Sequence, residues 1–201
     1  MALEAFYKLK DKKKKNVLGA ISSCLKRMSY DELSVNDIVV EADISRGSFY
    51  NYFADKYDAV KCLVESRVRD YFDMYMDAIQ KSDNNLFEGT RELYKSIINI
   101  LSVDINITVM RNMKFFTELV FETVKSNEYK KYLDEIIDWF IKNTVEGKKV
   151  LNLRKKMSNV LDIIISLIMN SIFLEAVFKM EPFNENSDFE YKLKIIEKGI
   201  F

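Results

Sequence analysis

Residues 34–56 read SVNDIVVEADISRGSFYNYFADK, a pattern that predicts two short helices separated by a tight turn. Ser34 suits the position just before a helix, and Asp37 can complete a capping box at the positive helix end. Apolar residues then recur at helical spacing up to Asp43, and Ser45 can cap a second helix. This order of elements is typical of a helix-turn-helix.

The second helix of this stretch has two different faces. Phe49, Tyr52 and Phe53 would form its apolar side, whereas small and polar residues in its first turn would point outward. A short helix with that distribution fits a DNA major groove. An ordinary helical hairpin with a solvated face explains the periodicity equally well, because such hairpins are common and motif matches include false positives.

The segment SRGSFYNYF at 45–53, followed by DKYDAV at 55–60, resembles the signature of the tetracycline-repressor (TetR) family of bacterial transcription regulators. In that family a small-residue turn leads into a Tyr-x-His-Phe-like segment, and a Lys opens the next helix. The resemblance covers roughly residues 10–60, about a quarter of the chain. Tyr52 stands where the family usually has His, and its hydroxyl could still reach a phosphate.

The resemblance implies that this helix contacts DNA. Arg46 would bond guanine O6 and N7 or else contact a phosphate, two roles that the sequence leaves open. Gly47 would let the helix approach the base edges closely. Phosphate anchors, which set register without reading sequence, would be Ser45, Ser48, Tyr50, Tyr52 and Lys56. The predicted DNA-binding set also includes Ser34 and Asn51.

The composition favours long helices. The 201 residues include one Pro and five Gly, and nothing alternates with period two for long enough to predict a sheet. Hydrophobic residues make up 48% of the chain, enough for a substantial core. We therefore predict an all-α protein: a three-helix DNA-binding head in residues 1–55 and a larger helical body for ligand binding and dimerisation in residues 56–201.

Local charge matters because the formal net charge is zero. Residues 1–28 contain eight Lys or Arg and two acidic residues. Such a run usually forms a solvated helix start or a flexible arm. Beside a DNA-reading helix it could contact phosphates and make affinity sensitive to salt.

The chain shows no export or membrane signal in its sequence. Cys24 and Cys62 lie on predicted helices beside apolar neighbours, which favours buried thiols in a reducing compartment. No secretory signal is visible, since the lysine-rich start lacks a following apolar core. The most apolar segment, 163–174, is shorter than the roughly 20 residues that a bilayer span needs. We expect a soluble, cytoplasmic protein without a membrane partner.

Apolar periodicity predicts the remaining helices and their ends. Gly147 and Pro182 are expected to stop helices. The helix spans predicted outside 34–53 are 12–28, 55–80, 87–102, 105–125, 128–144, 156–180 and 188–198.

The resemblance implies that the last two helices pair with their copies in a homodimer. They carry more apolar surface than a terminal pair should expose, which favours a two-fold association surface. Completion of a monomeric core is the alternative reading. The apolar residues in question are Ile164, Leu167, Ile168, Ile172, Phe173, Val177, Phe189, Leu193 and Ile196.

The resemblance also implies a small-molecule effector that binds the body and releases a repressor from its operator. Apolar and aromatic residues with a few amides suit a mostly apolar ligand, although such residues are more often plain core. A regulator that acts through protein contacts, without a small ligand, is the alternative. The candidate ligand-binding residues are Met113, Phe116, Val120, Trp139, Asn143, Met169, Asn170 and Phe173.

Catalysis is not expected. The chain has no histidine, which removes histidine general bases and His-ligated zinc, and two cysteines cannot form a Cys₄ site. It also lacks a Gly-rich phosphate loop. Acidic pairs such as Glu118 with Glu122 have the spacing of a solvated helix face. We predict no cofactor and no metal.

Overall fold

The computed structural model describes residues 2–101, 112, 115, 118, 119, 122, 127–149, 154–178 and 187–200. Within these residues the structure has ten α-helices and no strand, which confirms the all-α prediction. The helices are α1 Glu4–Tyr7, α2 Asp11–Arg27, α3 Val35–Ala42, α4 Arg46–Tyr52, α5 Lys56–Lys81, α6 Leu86–Leu101, α7 Asn127–Asn143, α8 Val145–Lys149, α9 Arg154–Phe178 and α10 Asp188–Ile200.

Most helices lie within two residues of their predicted bounds. The short helices α1 and α8 were not predicted, because one or two turns carry too little periodicity to detect. The helix predicted over 105–125 and the stop predicted at Pro182 fall largely outside the described residues.

The chain forms two compact units. The head unit comprises Met1–Asp70 and Asn106–Thr123, and the body unit comprises Tyr71–Ile105 and Val124–Phe201. Helix α5 contributes residues to both units. The sequence-based division between residues 55 and 56 therefore does not coincide with the division by packing, and it remains a proposal about where DNA binding ends.

In the head unit, α2 packs on α3, α3 on α4, and α1 on α4. Their shared core includes the completely buried side chains of Ile21, Ile38 and Phe49. Polar contacts between side chains of α2 and residues of α3 also hold these two helices together. The Asn16 amide donates to the carbonyl oxygen of Ala42 at 2.9 Å, and Arg27 forms an ion pair with Glu41 at 2.7 Å.

The predicted helix-turn-helix is confirmed by its caps. The Asp37 N–H donates to Ser34 Oγ, and the Ser34 N–H donates to Asp37 Oδ2 at 2.9 Å, which completes the capping box. Asp43 ends α3 in the left-handed conformation with φ 51°. Ser45 then opens α4 by accepting the Ser48 N–H at 3.0 Å. At the starts of both α3 and α4, a serine side chain therefore accepts a hydrogen bond from a backbone N–H that has no partner within the helix.

In the body unit, α6, α7 and α10 each pack against α9. The ring of Tyr75 is completely enclosed by helices, lies edge-on to Phe140 with centroids 5.1 Å apart, and shares a 2.5 Å hydrogen bond with Thr90. Gly89 lies directly beneath Ile79 of α5. A side chain at residue 89 would occupy the space that Ile79 fills.

A charged cluster joins α6 to α10. Arg91 contacts Glu190 and Glu197, each at 3.0 Å, and only 12% of its side chain is exposed. Burial alone would lower the pKa of Arg91, but the hydrogen bonds that it donates to the two carboxylates raise the pKa, so the guanidinium remains charged. Removing one carboxylate would leave the positive charge of Arg91 poorly solvated and only partly paired, which would destabilise the fold.

Gly147 is not the helix stop that was predicted. It lies inside α8, where an added Cβ would overlap the carbonyl oxygen of Phe140 and lie 2.7 Å from Ile141 Cα. Glycine is needed there because α8 folds back tightly on the end of α7, not because the chain adopts a positive φ. The helix end itself is stabilised by Thr144, whose hydroxyl donates to Phe140 and accepts from the Gly147 N–H.

The apolar residues expected to form the dimer surface mostly complete the chain's own core. Helix α9 is apolar around much of its circumference, so composition did not separate its buried and exposed faces. Ile172 and Ile196 are half-buried, and the side chains of Phe173 and Val177 lie outside the described residues. The buried members of the predicted set are Ile164, Leu167, Ile168, Phe189 and Leu193.

Candidate nucleic-acid interface

Helix α4 presents most of its polar residues and Tyr50 to solvent, and it presents Phe49 and Tyr52 to the head core. Phe49 and Phe53 are completely buried, and their rings lie 5.4 Å apart beneath the helix. Ser48 is half-buried. The exposed residues of the predicted set on and beside α4 are Ser45, Arg46, Gly47, Tyr50 and Asn51. This arrangement leaves one face of a short helix available to a DNA groove.

The predicted serine contacts already have partners within the chain. Ser34 Oγ lies 2.5 Å from the Asp37 carboxylate, and Ser45 Oγ lies 2.9 Å from Ser48 Oγ. Each hydroxyl oxygen can still accept a hydrogen bond. A phosphate oxygen is itself an acceptor, however, so it would need the single proton of the hydroxyl. Their first role is therefore to hold the helix starts, and their part in phosphate binding remains a prediction.

Tyr52 occupies a different environment from the rest of the predicted set. Its side chain is only 7% exposed and lies edge-on to Phe6 with ring centroids 6.2 Å apart. Lys13 Nζ lies 5.9 Å from the centre of its ring. The structure thus uses Tyr52 mainly for packing, and a phosphate contact would be limited to the edge that remains accessible.

Lys56 is held by the loop between α2 and α3. Its ammonium group donates to the carbonyl oxygens of Tyr30 at 3.0 Å and Leu33 at 2.8 Å, and it lies 4.6 Å from the centre of the Tyr30 ring. Three carbonyl contacts, including a longer one to Asp31, satisfy its donors within the head unit. Lys56 therefore supports the helix-turn-helix as well as being a candidate phosphate anchor.

Residues from the distant segment 106–123 complete the same loop. Asn112 accepts the Tyr30 N–H at 2.6 Å and donates to Leu25 at 3.4 Å. The ring of Phe115 stacks on Tyr30 with centroids 3.6 Å apart. No local pattern predicts these contacts, because the partners are more than 80 residues apart in sequence. They show that the loop before α3 is shaped by tertiary packing.

One further contact of this segment is between Tyr57 and Glu122, whose carboxylate accepts the phenol proton. Burial, followed by this hydrogen bond, raises the pKa of Tyr57 to about 12. The phenol is therefore neutral across the physiological pH range and acts as a donor. It attaches the start of α5 to the same segment that contacts Tyr30.

The lysine-rich start forms an exposed positive surface on the head unit. Lys8 and Lys14 form surface ion pairs with Glu4 and Asp11, at 2.7 and 3.5 Å. Such pairs contribute little to stability, so they leave the cations largely accessible to phosphate. Lys14 is half-buried, and the exposed lysines of residues 1–28 besides Lys8 are Lys10, Lys12, Lys13, Lys15 and Lys26.

The candidate ligand-binding residues are not gathered into one described site. Trp139 is half-buried against Phe140, and the Asn143 amide donates to the Trp139 carbonyl at 2.7 Å. Met169 is 62% exposed and Asn170 is also exposed. Asn170 lies on the outer side of α9, because Ile164, Leu167 and Ile168 form the inner face of this helix. The side chains of Met113, Phe116, Val120 and Phe173 lie outside the described residues.

The cysteines are buried, as their apolar neighbours indicated. Burial, together with the nearby Glu65, raises the pKa of the Cys62 thiol to about 12, which leaves it unreactive at neutral pH. Over the described part of the chain, no helix is long and apolar enough to cross a membrane.

A short capped helix with an open polar face, packed through aromatic residues onto two supporting helices, defines a helix-turn-helix DNA-binding protein. The family model described as bacterial regulatory proteins, tetR family, matches residues 17–61. The match spans most of α2, all of α3 and α4, and the start of α5, and it confirms the resemblance to a TetR-family regulator. No curated protein matches the sequence at a significant level.

Proposed function

We propose that this DNA-binding transcription regulator is a repressor that binds a roughly palindromic operator as a homodimer. A small, mostly apolar molecule would bind the body and release it. The observation that carries the proposal is the exposed polar face of α4, which begins with Arg46 and Gly47 and is backed by fully buried aromatic rings. Residues with this arrangement can enter a major groove without disturbing the core that presents them.

Gly47 supports close approach to base edges. An added Cβ at this position would have only Ser45 Oγ within 4 Å, at 3.9 Å, and the residue has no positive φ. Folding of the chain therefore does not require glycine here. A base or sugar lying against the backbone would supply the missing reason, and Arg46 beside it would then reach guanine O6 and N7.

Dimerisation is supported by apolar side chains that the folded chain leaves exposed on its last two helices. Ile163 and Met169 lie on the outer face of α9, and Tyr191 and Ile195 lie on that of α10. Exposed apolar residues of this size, repeated on adjacent helices, are typical of an association surface. A two-fold pair would present two copies of α4 to successive major grooves about one helical turn apart.

Ile195→Glu tests this association surface. The residue is 57% exposed, so a charge there should leave the fold intact but disrupt the dimer, as measured by sedimentation. Val40→Glu is the matched control, because Val40 is an apolar residue of the head unit that is 72% exposed. A dimer that survives Ile195→Glu would contradict pairing through α10.

Ligand release requires an effector that binds one conformation of the dimer better than the other. Half-buried Trp139 and Asn143 are the described residues best suited to contact it. A regulator that acts through protein contacts is the second candidate, favoured by the exposure of Met169 and Asn170 on α9. Thermal unfolding with a panel of apolar compounds separates the two, since an effector should raise the unfolding temperature and release DNA.

The experiment that tests the whole proposal is selection of bound fragments from the native genome, repeated with cell metabolites added. We expect a motif with two-fold symmetry that is enriched without metabolites and lost when they are present. A motif without symmetry would contradict the dimer. Absence of any preferred duplex at moderate salt would contradict DNA binding by α4.

A further inference from the structure

The segment 2–9 contacts the DNA-facing helix although it lies outside the family match. Leu3, Tyr7 and other residues of this segment are exposed, but Ala2 is buried and Phe6 is only 3% exposed. Helix α1, formed by Glu4–Tyr7, packs against α4. The buried positions therefore face the carboxyl end of the helix-turn-helix.

A backbone hydrogen bond joins this segment to α4. The Leu3 N–H donates to the carbonyl oxygen of Tyr52 at 2.8 Å. Tyr52 is the last residue of α4, and the last four carbonyls of a helix have no partner within it. The segment thus gives one of these carbonyls the hydrogen-bond donor that the helix cannot provide.

The Phe6 side chain strengthens the same contact. Its ring centroid lies 5.0 Å from that of Phe53 and 6.2 Å from that of Tyr52, which is edge-on. Tyr52 is the last residue of α4, and Phe53 follows it directly. Aromatic contacts at these distances add to the apolar area that Phe6 buries.

Helix α4 needs such support because it contains seven residues, fewer than two full turns. Helices this short are marginal alone, so their orientation depends on what holds their ends. The Ser45 cap holds the amino end, as shown by its bond to the Ser48 N–H at 3.0 Å. Contacts from segment 2–9 hold the other end.

We propose that residues 2–9 form a positioning strap that fixes the carboxyl end of α4 in the orientation required for operator binding. This inference rests on the proposed DNA-binding function of α4. Leu3 acts through its N–H and Phe6 through its ring, and neither needs to contact DNA. The strap determines where Tyr50, Asn51 and, through the helix axis, Arg46 lie when the head meets the duplex.

Leu3→Pro tests the hydrogen bond with little other change. Leu3 has φ −75°, a value that proline adopts, so the substitution removes the N–H without imposing a new backbone angle at that residue. Leu3→Ala is the matched control because it shortens the side chain but keeps the N–H. For the selected operator we expect Leu3→Pro to weaken binding about five- to tenfold, and Leu3→Ala to bind as the parent does.

Phe6→Ala tests the aromatic contact, and Phe6→Leu tests whether apolar filling alone restores it. The full chain is used throughout, and helix content is measured at the assay temperature. The decisive readout is the ratio of operator affinity to random-duplex affinity. A misplaced α4 should lower that ratio, whereas a smaller folded fraction would lower both affinities equally.

The outcomes separate the strap from the function on which it rests. A parent protein that prefers no duplex overturns the DNA-binding proposal and the strap with it. A parent that prefers its operator, together with unchanged ratios in Leu3→Pro and Phe6→Ala, overturns the strap alone. If Phe6→Ala fails to fold, the Leu3 pair of variants decides.

Discussion

Two glycines, one in each unit, differ in whether the fold leaves room for a side chain at their position. Gly47 of α4 is exposed, and an added Cβ would meet only Ser45 Oγ at 3.9 Å. Gly89 of α6 is buried, and an added Cβ would overlap Ile79 and lie 2.6 Å from its Cα. Packing of the body unit therefore requires Gly89, whereas packing of the head unit does not require Gly47.

The outer face of α4 and the close helix contacts of the body unit should therefore respond differently to substitution. Substitutions on the outer face of α4 should change binding and leave stability nearly intact. Substitutions at close helix contacts in the body should do the reverse. Paired measurements of unfolding free energy and DNA affinity can therefore break or sharpen the comparison.

Gly89→Ala should have the largest effect. The new methyl group meets the backbone of Ile79, which cannot rotate away, so we expect a loss of about 3 kcal/mol in unfolding free energy. Urea unfolding monitored by circular dichroism measures it. Gly19→Ala in α2 is the control, since no heavy atom lies within 4 Å of its added Cβ. Equal stability of the two variants would show that α5 and α6 are less closely packed than described.

Arg46→Ala should reduce discrimination between the operator and random DNA by about 2 kcal/mol if the guanidinium reads a base. Lys56→Ala should instead weaken all sequences alike and lower the salt slope by about 1. Because Lys56 also holds the Tyr30 and Leu33 carbonyls, its loss should destabilise the head as well. Titrations on both DNAs at several salt concentrations distinguish the residues. Equal losses on both DNAs would remove Arg46 from base readout.

Gly47→Ala should separate folding from binding. Replacing glycine within an unstrained helix raises stability by roughly 0.5–1 kcal/mol, since no neighbour opposes the methyl group. Operator affinity should nevertheless fall several-fold if bases approach the backbone there. Gly19→Ala controls for the helix propensity gained. A stabilised Gly47→Ala variant with unchanged affinity would show that the groove stays away from residue 47.

The smallest effect is expected from the capping box. Hydrogen bonds from the Ser34 hydroxyl and N–H lower the pKa of Asp37, so its stabilising contribution is present above the unfolded pKa and lost as pH falls through the folded value. Stability should therefore fall more steeply below about pH 4 in the parent protein than in Asp37→Asn. Acid titrations of unfolding free energy compare them. Parallel curves would mean that the carboxylate contributes little to α3.

The folded structure also assigns different roles to residues that the sequence analysis had grouped together. Tyr52 and Lys56 were grouped with Arg46 as DNA contacts, yet Tyr52 packs on Phe6 and Lys56 binds loop carbonyls. Their part in DNA binding remains a prediction beside these structural roles. No pattern in the sequence indicated the roles of Leu3 and Asn112, because each of them bonds to a backbone group that is far away in sequence.

What the sequence determined by itself was local. Helix starts at Ser34 and Ser45, the break at Asp43 and the outer face of α4 depend on hydrogen bonds and periodicities that span only a few residues. Tertiary structure decided the rest: the support of α4 by segment 2–9, the loop held by Asn112, the close contact at Gly89, and which face of α9 is inside. These depend on atoms brought together from distant parts of the chain, and an apolar residue has the same appearance in a sequence whichever neighbour it meets.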